Sequence, residues 1–195
     1  MKFAILFFAS IAAAFVLLPT AAAAQRDYFT AEEIELIRDA QKIDDRINVL
    51  TKIIDRRFDA LKVDVHGARI SPKEQEKWGV LPQSSRFELL LDIKRILQKA
   101  IDDIDTLAER PESGILPDPD DKKAKSTFAE LFPKAVRSLG AAAQRYQPAL
   151  KAELDKPNAG SEKGSILDSL DFCDQIVAAM GKLPEQVEKA KKGKN

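Results

Sequence analysis

The chain has 195 residues, one cysteine, and 31 basic against 31 acidic side chains, for a formal net charge of zero. Balanced charge excludes a global electrostatic pull toward nucleic acid or an anionic surface, and the lone Cys173 excludes an intrachain disulfide framework. A chain of this length fits one domain able to bury about 70% of its unfolded surface without such staples.

Lys2, an apolar run from Phe3 to Leu18, and the small-residue exit Pro19-Thr20 followed by Ala21 to Ala24 have the order of a secretory signal peptide, with Ala22 and Ala24 as the A-x-A cleavage context. The apolar run is shorter than the roughly 20 residues of a membrane-spanning helix. Residues 1–24 are therefore expected to be cleaved before Gln25, with no cysteine there to carry a lipid. Residues 25–195 are expected to form one helical domain, secreted or periplasmic, without stable membrane insertion.

Thr30 and Glu33 spell a T-x-x-E capping box, which opens a helix at Ala31. Leu36, Ala40, Ile43, Ile47, Leu50, Ile54, Phe58 and Leu61 follow at steps of three and four with no Gly or Pro between them. The spacing predicts one uninterrupted helix over about 31–63. Arg57 falls where the rhythm calls for a core residue. A guanidinium lying along the core edge with a solvated head is the reading adopted, with a buried Arg–Asp pair as its rival.

Residues 64–84 contain Gly67, Ser71-Pro72, Gly79 and Pro82, which redirect the chain and allow a short helical turn after Pro72. This connection exceeds the 2–8 residues usual between packed helices. It holds the candidate binding residues His66, Trp78, Val80 and Leu81. The rival reading makes Trp78 a cap on the end of the core and His66 a helix-terminal histidine.

Ser85 with Glu88 is a second capping box, opening a helix over about 85–109 that Pro111 closes. A third helix is predicted over about 122–155, from Phe128, Leu131, Ala135, Leu139, Ala142, Tyr146 and Leu150, with kinks or a break at Pro133 and Pro148. A fourth, over about 165–191, carries Ile166, Leu170, Cys173 and Val177 on its stripe, a kink at Pro184, and the pairs Glu185–Lys189 and Glu188–Lys192. The lysines of the last residues read as a solvated end. Four amphipathic segments without strand-like alternation give an all-α fold, an antiparallel four-helix bundle with long kinked helices.

The single histidine excludes di-iron motifs, and C-x-x-C-H, EF-hand, phosphate-loop and H-E-x-x-H patterns are absent from the sequence. The sets Asp102, Asp103, Asp105 and Asp168, Asp171, Asp174 read as solvated faces. Cys173 reads as a small core hydrophobe. No catalytic residue, metal ligand or cofactor is expected. The sequence points to an exported non-catalytic helical bundle acting as a binding or structural interaction module in the cell envelope, its partner an unspecified protein or envelope component and not nucleic acid. The alternative is a carrier of a small apolar ligand, held between splayed helices in a cavity lined by Phe128, Phe132, Tyr146 and Phe172.

Overall fold

A computed structural model describes residues 27–67, 70–111, 127–156 and 160–184. Among these residues the protein is all-α, with six helices and no strand: α1 (Ala31–Asp39), α2 (Ile43–Ala60), α3 (Gln75–Trp78), α4 (Arg86–Glu109), α5 (Phe128–Leu154) and α6 (Lys163–Gly181). None of these helices is long and apolar enough to cross a membrane. The expected leader, residues 1–24, lies outside the described residues.

Both capping boxes form. Thr30 N–H donates to Glu33 Oε2 at 3.0 Å while Glu33 N–H donates to Thr30 Oγ1, and Ser85 and Glu88 repeat the arrangement at the start of α4. Each box satisfies two backbone donors that have no partner inside the helix.

The helix expected over 31–63 is instead two helices separated by Ala40 to Lys42. Ala40 (φ −78°, ψ 78°) centres an inverse γ-turn, in which Gln41 N–H donates to Asp39 O at 2.9 Å. Arg46 Nε donates to the Ala40 carbonyl at 3.0 Å, satisfying an acceptor freed at the end of α1. Nothing in the local sequence requires this break, because alanine, glutamine and lysine are good helix formers. A tertiary contact supplies the reason. Glu33 and Arg57 would sit about 36 Å apart on a straight helix, yet they are hydrogen-bonded, so α1 folds back along α2.

The four long helices enclose a shared core. Lys134 meets Asp44, Ser138 meets Asn48 and Arg145 meets Asp55, so α2 and α5 advance in the same direction side by side. Gln147 to Asp174 and Arg137 to the Pro184 carbonyl show α5 and α6 running oppositely. Lys94 to Asp168, followed by Ile101 and Ile104 beside Ile176 and Ala179, make α4 and α6 parallel. Successive long helices thus alternate in direction, but two of the neighbouring pairs are parallel, and α2 lies across the core from α6.

Ile47, Leu50, Ile54 and Phe58 of α2 meet Leu90, Ile93 and Leu97 of α4, Leu139, Tyr146 and Leu150 of α5, and Ile166 and Cys173 of α6. The Phe58 and Tyr146 rings stack at 5.3 Å. Pro133 and Pro148 lie within α5 without ending it. At Gly140 a Cβ would overlap Met180, so glycine sets the close approach of α5 to α6. The last helix is shorter than expected. It stops at Gly181, before Pro184, and the pairs Glu185–Lys189 and Glu188–Lys192 lie outside the described residues.

Candidate functional site

Arg57 does not lie along the core edge with a solvated head. It is 1% exposed and surrounded by partners. Nη1 and Nη2 donate to Glu33 Oε1 and Oε2 at 2.7 and 2.6 Å, Nη2 also donates to the Tyr28 carbonyl at 2.7 Å, and Nε lies 3.4 Å from Asp92 Oδ2. Arg56, also buried, places Nε 3.3 Å from Glu33 Oε1. Two guanidiniums from α2 therefore face one carboxylate from α1 and one from α4, balanced in charge and shut away from water. Burial depresses the Arg56 pKa, an effect that Glu33 opposes. Both carboxylates of this cluster face guanidiniums, so the arrangement acts as a clamp between α1, α2 and α4.

The outer edge of the clamp reaches the long connection. Arg56 Nη2 donates to the Val80 carbonyl at 2.7 Å and Nη1 to the Gly79 carbonyl at 3.4 Å, while its guanidinium lies 5.6 Å from the centre of the Trp78 ring. Gly79 takes φ +62°, and a Cβ there would press on Glu32 of α1. The positive φ is what requires glycine, since the exposed Glu32 side chain is free to yield to a Cβ. Trp78 is 4% exposed and belongs to the core, as a residue capping its end would. The next side chain turns outward: Val80 is 81% exposed, and Leu81 and Phe87 are also exposed for large hydrophobics. Arg86, beside Phe87, pairs with Glu153 at the end of α5 and lies 3.6 Å from Glu162 at the start of α6. Val80, Leu81 and Phe87 thus belong to the end of the fold where α4 and α6 begin, with exposed Leu167 one turn into α6.

His66 is separate from this group. It adopts φ +52°, donates its N–H to Asp64 Oδ1 at 2.7 Å, and exposes its ring. It borders an open depression with Asp55, Asp59, Lys62 and Asp64. Asp55 already accepts from Tyr146 Oη at 2.8 Å and faces Arg145 at 3.4 Å, and no group of metal-ligating side chains gathers among the described residues. The aspartate sets are engaged in surface pairs: Asp102 with Gln98, Asp103 with Lys99, Asp168 with Lys94, and Asp174 with Gln147. Cys173 is fully buried, and burial, with Asp174 adding to it, pushes its thiol up to about 12.

Of the four aromatic residues named for the carrier alternative, only Phe132 lines the apolar cleft between α4, α5 and α6. Tyr146 packs on Phe58, and Phe128 stacks on Phe132 at 4.9 Å. That cleft, of about 250 Å³, is lined chiefly by Ile104, Phe132, Val136, Leu139, Ile176 and Leu183, with Asp105 and Gln175 among its polar lining residues.

Reasoning from sequence missed Glu33, Arg56 and Asp92 as members of one cluster. The available signal was a capping-box glutamate at the start of the predicted helix over 31–63 and two adjacent arginines interrupting its apolar stripe near the end. The chain was compared with protein-family models, curated proteins and solved structures, and none matched.

Proposed function

We propose that this is an exported, non-catalytic protein of the cell envelope that works by binding a partner through the apolar end formed by Val80, Leu81 and Phe87. In this reading α2, α4, α5 and α6 act as a four-helix bundle scaffold, and α1 with α3 is strapped to it. The observation that carries the reading is the contrast at Val80. Its carbonyl is held by a buried arginine while its apolar side chain is left in water. Holding an aliphatic side chain outward on a fixed backbone lowers the conformational cost of binding. Residues 1–24 support export through their order of charge, apolar core and small-residue exit.

The test is capture of envelope components by the protein and by a Val80→Ser, Leu81→Ser, Phe87→Ser variant. The variant is expected to melt within a few degrees of the parent and to retain nothing. Undiminished capture would refute the reading. N-terminal sequencing of protein recovered from the producing cells tests export and is expected to begin at Gln25.

The cleft of about 250 Å³ favours a second reading, carriage of a small apolar ligand. Its volume lies just below the usual range for ligand pockets. Val136→Trp, which fills the cleft, should abolish binding of an apolar fluorescent probe if that reading is right.

A further inference from the structure

Two features of the first two helices pull in opposite directions. The apolar residues Leu36, Ala40, Ile43 and Ile47 keep helical phase straight through the hinge, and the hinge residues Ala40, Gln41 and Lys42 all favour helix. Lys42, at the N-cap of α2, makes no side-chain cap there. The folded-back arm is held by contacts made at its far end: Glu33 to Arg56 and Arg57, the Tyr28 carbonyl to Arg57, and Glu32 against Gly79. Straightening the hinge would exchange the γ-turn hydrogen bond at Ala40 and the Arg46 Nε bond to the Ala40 carbonyl for the i to i−4 bonds of a continuous helix. What it gives up is the clamp.

We propose that α1 is an exchangeable arm: two copies of the chain straighten at Ala40–Lys42 and each seats its own Glu33 in the Arg56–Arg57–Asp92 cluster of the other. Every arm contact of the monomer is restored in this dimer, because the receiving surface on α2, α3 and α4 is identical in both chains. Only the hinge differs, and there the helical conformation favours the exchanged form. Short hinges between separable elements are the usual setting for such exchange. A net charge of zero raises no overall repulsion between the two copies. The partner specified by the cluster is a second α1, since a bidentate carboxylate flanked by the Tyr28 carbonyl reproduces what the guanidiniums hold in the monomer.

The test uses spin labels at Glu35→Cys and Asp59→Cys, exposed positions on the arm and near the end of α2; native Cys173 is buried. Doubly labelled chains diluted into unlabelled protein report the distance within one chain. In dilute solution a single short distance is expected. At high concentration, where light scattering reports a dimer, a second distance of about 36 Å is expected, the length of 24 residues of continuous helix. Mixed singly labelled chains should then show the short distance between copies. Lys42→Pro fits the present backbone, with φ −81°, and bars helix through the hinge; it should stay monomeric and keep only the short distance. A parent protein that remains monomeric at its highest soluble concentration overturns the proposal, as does a dimer whose intrachain distance is unchanged.

Discussion

Glu33 and Arg57 are joined through both carboxylate oxygens, at 2.7 and 2.6 Å, across 24 positions of sequence. Arg57 is bound in turn to the Tyr28 carbonyl and to Asp92, so one side chain ties the N-terminal arm, α2 and α4 together. A bidentate pair of this kind fixes geometry as well as charge.

Breaking the pair from one side leaves a buried charge without its partner. Glu33→Ala or Arg57→Ala should therefore cost about 3–5 kcal/mol in urea denaturation. Replacing both, as Glu33→Ala with Arg57→Ala, should cost clearly less than the two single losses together. Additive losses would show that the two side chains act independently.

Gly79 and Val80 are adjacent but should respond differently. Gly79→Ala forces a Cβ onto a φ of +62° and against Glu32, a loss of about 1–3 kcal/mol. Val80→Ser touches only solvent at the side chain and should stay within about 0.5 kcal/mol of the parent. Thermal melts of both variants check the pair.

Burial works against the charge on Glu153, but hydrogen bonds from Lys156 and Arg86 outweigh it and hold its pKa below the ordinary glutamate value. A depressed carboxylate contributes its full stability above the unfolded-state value, about pH 4.3, and loses it as pH falls through the lower folded value. Glu153→Gln should accordingly narrow its stability deficit on acidification across that window. A constant deficit from neutral to acid pH would contradict the assignment.

Cys173 should resist thiol reagents in the native protein and react on unfolding, because burial lifts its thiol to about 12 and leaves little thiolate at neutral pH. Rapid native labelling, followed by mass spectrometry, would show that the α6 stripe is wrongly oriented.

The all-α class was legible in the sequence because local signals and packing agree in most places. Thr30 with Glu33 and Ser85 with Glu88 start helices where their boxes say, and the stripes through Ile47, Leu90 and Leu139 face the core. The break at Ala40–Lys42 was not legible, since no local signal demands it and the Glu33 contact that imposes it lies in a distant part of the fold. Arg57 showed only as an interruption of an apolar rhythm. Its partners come from the N-terminal arm and from α4, and one helix over 31–63 would have kept Glu33 far from it. Which helices lie side by side in the same direction depends on contacts between helices, which spacing within a helix does not encode. At Trp78 and Val80 the sequence shows two apolar side chains two positions apart, and nothing in it says that Trp78 joins the core while Arg56 holds the Val80 carbonyl and leaves its side chain outside.

The central claim is that the end bearing Val80 is a contact surface, and the most direct measurement is site-specific photo-cross-linking in the producing cells. A photoreactive residue placed at Val80 should give a discrete adduct with an envelope component, whereas the same group at the exposed Asp102, toward the other end of α4, should give none. Absence of any adduct at Val80, or the same adduct from both positions, would contradict it.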